Sequence, residues 1–432
     1  MNRKPPGRKV CPMTLIEFFE SSIVENICTS IAHAPDRVIL IGEQNKLLQK
    51  HAKRYREFFL EHGYDIEFLW RSVDKNKVET IIKALEAIFE EYPDSIIDVT
   101  GGADLYLFSA GVFCERYRDR NVQVHYINIR SGATYDCDLD GEKIIENNPL
   151  QFSVDDNIRL YGGKIVYDDE RPEGTHLWDL NEDFKRDIRA MWEICREDRG
   201  LWNWQMEVLG AAELFRDPSK GPLETVAPRS NVSTHMEHSG YNGYLFRFSL
   251  IKKLIGAGLI LPSFEFDNSR PIRIEYKNEQ VKRCLTKSGQ ILEMIVYLAA
   301  CEAREKNGLP TYNDVMTGVF IDWDGDIHTE DSYHDAENEV DVILMRGMVP
   351  IFVSCKNGGV SVQELYKLQS VANKFGGKYA KKVLIAPALK GHENETALRE
   401  RCRDMQIQII DDIENWDETR LFNAIKTLWS SN

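Results

Sequence analysis

Hydrolysis of a phosphodiester needs hard oxygen ligands for a divalent cation, which polarises the phosphoryl group and lowers the pKa of an attacking water. It also gains from a cation placed where negative charge develops. Three separated pieces of the 432-residue chain carry such groups. In Asn338-Glu-Val-Asp-Val342, strand geometry sends Glu339 and Asp341 to one face and Val340 and Val342 to the other. Acids are disfavoured in strands, so two of them among core valines call for an explanation. In Ile351-Phe-Val-Ser-Cys-Lys-Asn-Gly358, an apolar strand ends in a polar tip, with Ser354 and Lys356 on one face and Cys355 turned inward. Glu293 interrupts the apolar helix run Ile291-Leu-Glu-Met-Ile-Val296, and an acid there is rarely buried without a partner. Gly289, Gln290, Tyr297 and Ala300 are its helical neighbours and leave room for close approach. Each residue taken singly fits a salt-bridged strand pair better than a catalytic site. The combination, in this order and on these elements, points to metal-assisted hydrolysis, with Glu293 and Asp341 as Mg²⁺ or Mn²⁺ ligands and Lys356 either as the cation or as the group that positions the water.

A second candidate lies far upstream. Asp98-Val-Thr-Gly-Gly-Ala-Asp104 sits where a buried strand ends and a helix begins. Thr100, Gly101 and Gly102 therefore fall at the C-terminal edge of a sheet, where open α/β sheets bind ligands. Glycines permit close backbone approach to a phosphate, and the following helix offers unpaired N–H groups. By itself a Gly-Gly pair at such a junction is more often a simple turn.

The elements around these groups alternate in type. Short Ile-, Val- and Phe-rich runs at residues 15–19, 37–42, 66–70, 95–100 and 122–129 alternate with helical stretches at 46–62, 75–91 and 104–118. In the second of these helices Val78, Ile81, Ile82, Leu85, Ile88 and Phe89 recur at helical spacing. Buried strands separated by amphipathic helices predict a Rossmann-like parallel sheet covered on both faces. Residues 143–145 and 158–166 read as further strands at the edge of that domain. An amphipathic helix starts at Asn181, and residues 218–241 read as a loop. Residues 245–261 read as helix and turn before a strand at 272–276, the order of a small winged-helix-like connector. From residue 288 onward helices at 291–303 and 360–375 mix with strands at 340–345, 350–353, 382–386 and 407–410. The expected division is a leader at 1–13, a ligand-binding domain at 14–170, a connector at 171–284 and a nuclease domain at 285–432.

Composition bounds the function. Hydrophobic residues at 43% and charged residues at 28% match globular averages, which excludes a disordered chain. No apolar run approaches the ~20 residues needed to span a bilayer, so no membrane role is expected. The nine cysteines include no Cys-x-x-Cys pair, which favours reduced thiols and a cytoplasmic protein over a disulfide framework or zinc site. His235 and His238 lack a thiol partner and read as loop residues without metal. A net charge of −15 disfavours non-specific attraction to nucleic acid, so any grip on DNA or RNA must be local. There is no Gly-x-Gly-x-x-Gly after the first strand, which argues against a dinucleotide-dependent enzyme.

The strand ending in Thr100-Gly101-Gly102, inside a Rossmann-like domain and upstream of the acid–lysine pieces, resembles a CARF domain. The resemblance implies binding of a cyclic oligoadenylate, with cyclic tetra-adenylate the expected ring, across a homodimer. It also implies contacts from Ser21 and Ser22, after the first strand, and from Ala103 and Asp104, which stand where that family usually has Thr-Lys. Residues 288–387 resemble the PD-(D/E)xK nuclease fold, in which a helix Glu, a strand Asp and a (D/E)-x-Lys strand form the site. Ser354 occupies the second acidic position, and Glu339 or the backbone carbonyl of Cys355 is the expected replacement ligand. Together the two halves resemble the ancillary nucleases of type III CRISPR antiviral defence. The resemblance implies an endonuclease for DNA and/or RNA, activated allosterically by the cyclic nucleotide. The competing expectation is a ligand-controlled transcription regulator with a connector that binds DNA and an inactive nuclease-like domain.

Overall fold

A computed structural model of the chain describes residues 12–19, 23–43, 46–137, 143–145, 151–171, 173–240, 245–264, 270–325, 337–387, 389 and 395–430. The chain divides into two compact units, residues 1–164 with 347–349, and 165–346 with 350–432.

In the first unit, strands alternate with helices: β1 (Thr14–Phe18), α1 (Ile23–His33), β2 (Arg37–Gly42), α2 (Lys46–Glu61), β3 (Glu67–Ser72) and α3 (Val78–Glu91). Then follow β4 (Ile96–Asp98), α4 (Asp104–Arg116), β5 (Gln123–Asn128), β6 (Ala133–Asp136), β7 (Lys143–Ile145) and α5 (Val154–Leu160). The sheet order is β3-β2-β1-β4-β5-β6-β7, parallel from β3 through β5 and antiparallel at β6 and β7. The strands that read as continuous apolar runs, β1 and β2, lie at its centre, with Leu15, Ile16 and Val38 to Ile41 fully buried. The order reverses direction between β1 and β4. That switch point opens a crevice at the carboxyl ends of these two strands, where the Thr-Gly-Gly turn lies.

One expected strand is instead a helix. Residues 158–166 were expected to be extended, but Ser153 and Asp156 form a reciprocal capping box that starts α5. Two of the four orphan N–H groups of a helix start are thereby satisfied, and local capping outweighs the strand propensity of the Ile-rich end. Only Lys164–Ile165 remains extended, as β8.

The second unit begins with α6 (Glu182–Glu197), capped by Asn181, and α7 (Arg199–Leu214), capped by Asp198. Next come β9 (Glu224–Ala227), α8 (Arg229–His238), α9 (Phe248–Gly256), β10 (Ile272–Glu275) and α10 (Glu279–Leu285). Strand β9 pairs antiparallel with β10, and Ile260 bridges Tyr276, the residue just past the end of β10. The stretch 218–241 is therefore not all loop. Pro228 precedes α8, and Val232 and Met236, four apart, bury its inner face despite the polar composition around them. His235 and His238 both lie on that helix.

The remainder is α11 (Gln290–Glu302), β11 (Asp314–Asp322), β12 (Glu337–Arg346), β13 (Val349–Cys355), α12 (Val362–Gly376), β14 (Lys381–Ile385), α13 (Glu395–Asp404), β15 (Ile407–Ile410) and α14 (Glu418–Lys426). Six strands form one sheet in the order β15-β14-β13-β12-β11-β8. One hydrophobic cluster runs from Phe184 on α6 through α7, α9 and α10 to α11, β13 and α14, so these helices and the sheet share a core. Among the described residues no helix is long and apolar enough to cross a membrane.

Candidate active site and ligand-binding turn

The alternation that separates Glu339 and Asp341 from Val340 and Val342 is present on β12, with Val342 fully buried and Val340 nearly so. Asp341 thereby faces the end of β13. Its Oδ2 accepts the Cys355 N–H at 2.6 Å and the Ser354 hydroxyl at 3.2 Å. Lys356 Nζ lies 3.4 Å from the same oxygen and 3.2 Å from Glu364 Oε2 on α12. Burial alone would lower the Lys356 pKa, but Asp341 and Glu364 outweigh it and hold the ammonium above the usual lysine value. Lys356 thereby keeps its positive charge between two carboxylates. A cavity of about 270 Å³ opens on these groups, lined by Glu339, Asp341, Ser354, Lys356 and Glu364.

Glu293 is 4% exposed on α11. Gln290 Nε2 donates to its Oε2 at 3.1 Å. Burial pushes Glu293 up to about 8, Lys287 pulls it down, and Asp341 and Glu339 push it up again. Lys287 pairs with Glu339 at 2.6 Å. Burial also raises Asp341, against the pull of Lys356. Among the described residues no group of three or more His, Cys, Asp or Glu side chains closes around a single point. The donor chemistry nonetheless fits a divalent cation: hard carboxylate oxygens of Asp341, Glu339 and Glu364 line one cleft, and burial, then neighbouring negative charge, raises Asp341 and Glu293, which positive charge would relieve.

Glu364, Lys287 and Gln290 were not anticipated. Ser361-Val-Gln-Glu364 reads as a helix capping box, and the Glu364 N–H does bond to Ser361 Oγ at 3.4 Å, so the local role hides the distant one. Neither Lys287 nor Gln290 carries a signal above its helix-start surroundings.

In the first unit, Thr100 follows β4. Its hydroxyl donates to Asp98 Oδ1 at 2.6 Å and accepts the Ile127 N–H at 2.8 Å, with Thr29 at 3.3 Å. That hydroxyl braces the turn against β5 and α1 and is not held out toward a ligand. Both glycines answer to close packing. A Cβ on Gly101 would sit 2.8 Å from Glu25 Cβ, and one on Gly102, at φ +112°, 2.8 Å from Phe18 Cβ. Ala103 is the N-cap of α4 without a side-chain cap bond, and Asp104 is exposed in its first turn. Ser21 and Ser22 lie outside the described residues.

Beneath the turn is a buried acid pair. Burial raises Asp98 to about 7, and its register partner Glu17 is raised well above the carboxylate range by burial and then by Asp98. Ser30 and Tyr55 donate to Glu17, Tyr55 at 2.7 Å. A cavity of about 470 Å³ between α2 and the edge strand β3 is lined by Lys53, Arg56, Trp70 and Ser72 among others.

No protein-family model matches the chain, and no curated protein does. Solved structures do. Can2 from Sulfobacillus thermosulfidooxidans, solved in complex with cyclic tetra-adenylate, superposes with a TM-score of 0.64 at 17% identity, covering 96% of this chain and 99% of Can2. Protein VC1899 from Vibrio cholerae superposes with a TM-score of 0.70 at 15% identity, covering 97% and 98%. Over nearly its whole length, then, this two-unit α/β chain has the fold of Can2 and VC1899.

Proposed function

We propose that the chain is a metal-dependent endonuclease of type III CRISPR defence, acting on DNA and/or RNA and switched on by a cyclic oligoadenylate, cyclic tetra-adenylate foremost. The observation that carries this reading is the convergence of Asp341, Lys356 and Glu364 in one cleft beside buried Glu293. The fold shared with a protein solved with cyclic tetra-adenylate supports the activator. A Mg²⁺ or Mn²⁺ ion held by Asp341 and Glu293, with Glu364, Glu339 or the Cys355 carbonyl completing the set, would polarise the phosphodiester and acidify a water.

The chain's own residues do the rest. Lys356, kept charged by its two carboxylates, stabilises the charge that develops on the phosphoryl oxygens. Glu364 stands where it can make good the acid missing at Ser354. In the first unit, the crevice after β1 and β4 and the N-terminal N–H groups of α4 receive the activator's phosphates. Leu105, Leu107 and Phe108 are exposed on α4 just beyond the turn and supply apolar surface for a second copy, the expected homodimer. Activation is a population shift, which requires tighter activator binding in the competent state.

The test is to incubate the protein with Mn²⁺, labelled duplex DNA or RNA, and each cyclic oligoadenylate in turn. Cleavage stimulated by one ring size supports the reading. Activator-dependent DNA binding without cleavage would favour the transcription regulator instead.

A further inference from the structure

The segment around α9 stands apart in charge from the rest of the chain. Residues 225–264 hold one acid, Glu237, where the whole-chain frequency of 69 in 432 gives about six in forty. They also hold Arg229, Arg247, Lys252 and Lys253. Helix α9 buries Leu250, Ile251 and Leu254 in the core. It turns Arg247, Phe248, Ser249, Lys252 and Lys253 outward, Phe248 being 51% exposed. Lys252 Nζ lies 4.3 Å over the Phe248 ring, and Lys253 pairs with Glu197.

This face continues toward the cleft described above. The Arg247 guanidinium lies 5.5 Å over the Trp204 ring of α7, and its backbone N–H donates to Gln205 at 2.8 Å. The residue before Trp204, Asn203, exchanges two hydrogen bonds with Asn357, at 2.8 and 2.7 Å. Asn357 follows Lys356 directly. Through α7, Arg247 is therefore connected to the residue that follows Lys356, within one unit.

We propose that the outward face of α9 is a docking surface for duplex DNA, which it grips through the phosphate backbone and presents to the Asp341–Lys356 cleft. Charge complementarity selects a polyanion on a chain that otherwise repels one. A protruding helix fits the major groove of B-DNA, about 12 Å wide, whereas the deep, narrow major groove of A-form RNA does not admit side-chain readout. The presentation step rests on the nuclease reading; the docking does not.

The test compares wild type with Arg247→Ala/Lys252→Ala by fluorescence anisotropy on a short DNA duplex in EDTA, over a series of salt concentrations. Loss of two phosphate contacts should flatten the log K against log[salt] slope by about 1.8 and weaken binding at least tenfold at about 0.1 M salt. Hydrolysis of bis(p-nitrophenyl) phosphate with Mn²⁺ and cyclic tetra-adenylate should be unchanged, since neither residue touches the cleft. Lys252→Arg, which keeps the charge on an exposed position, should bind as wild type. An unchanged slope and affinity in the double variant would overturn the proposal. So would duplex RNA competing as well as DNA, or a shift in sedimentation showing that α9 instead joins two copies. If wild type binds DNA through this face yet hydrolyses no phosphodiester, the docking stands and the nuclease reading falls.

Discussion

Asp98→Asn tests the buried acid pair beneath the Thr-Gly-Gly turn. Asparagine keeps Oδ1 as acceptor for the Thr100 N–H, 3.0 Å away, and the Thr100 hydroxyl, 2.6 Å away, and removes the titration. Burial raises the Asp98 pKa from 3.8 to about 7. A group raised in the folded state stabilises it fully below the unfolded pKa, and that contribution is lost as pH climbs through the folded value. Here the loss runs from about pH 4 to about pH 7. Three units at about 1.4 kcal/mol each set a ceiling of about 4 kcal/mol, of which about 2.5 is lost between pH 5 and pH 7.5. The variant is neutral throughout, so its stability relative to wild type should rise by about 2.5 kcal/mol over that interval. Hydrogen exchange of peptides from β1 and β4 reads this unit apart from the other. The variant-to-wild-type protection ratio should grow roughly 70-fold between the two pH values. A ratio that stays flat would refute the argument that Asp98 is held protonated by burial.

The glycine and cleft residues make further predictions. Gly102→Ala, at positive φ and pressed on Phe18, should cost the N-terminal unit about 1–3 kcal/mol, read as a lowered denaturant midpoint. Asp104→Lys, by contrast, changes an exposed position: it should cost under about 1 kcal/mol of helix-dipole stabilisation and tighten cyclic tetra-adenylate binding several-fold by calorimetry. Glu364→Gln should raise the Mn²⁺ concentration for half-maximal cleavage about tenfold and weaken Mn²⁺ binding to match. An unchanged metal titration would leave Glu364 as an ion-pair partner of Lys356 and Lys367 alone.

Much of this architecture was legible because the deciding signals are local. The five parallel strands read as apolar runs, and the period of α3 is unmistakable. Glu293 and Asp341 stood out because each breaks an apolar pattern. What was hidden depends on distant or competing causes. Helix α5 depended on a capping box that strand propensity masked. Helix α8 buries only Val232 and Met236 within a Ser- and Asn-rich run. Strand β11 buries Thr317, Val319 and Ile321 in regular alternation, but Gly318 at φ +59° in its middle is a residue type that weakens strands and masks the pattern. Glu364 could not be linked to Lys356 because only the packing of α12 beside β13 brings them together. Nor could the sequence show that Gly101 serves packing against Glu25 and that the Thr100 hydroxyl braces β5, since both partners are remote in the chain.

Cleavage and metal binding measured side by side on wild type and Asp341→Ala test the central claim most directly. Labelled duplex DNA is incubated with Mn²⁺ and cyclic tetra-adenylate, and Mn²⁺ affinity is measured on the same preparations by calorimetry. Wild type should cut only with both additions present. Asp341→Ala should lose cleavage and most Mn²⁺ affinity while binding cyclic tetra-adenylate as wild type does. Undiminished cutting by Asp341→Ala, or Mn²⁺ bound equally by both proteins, would contradict the account.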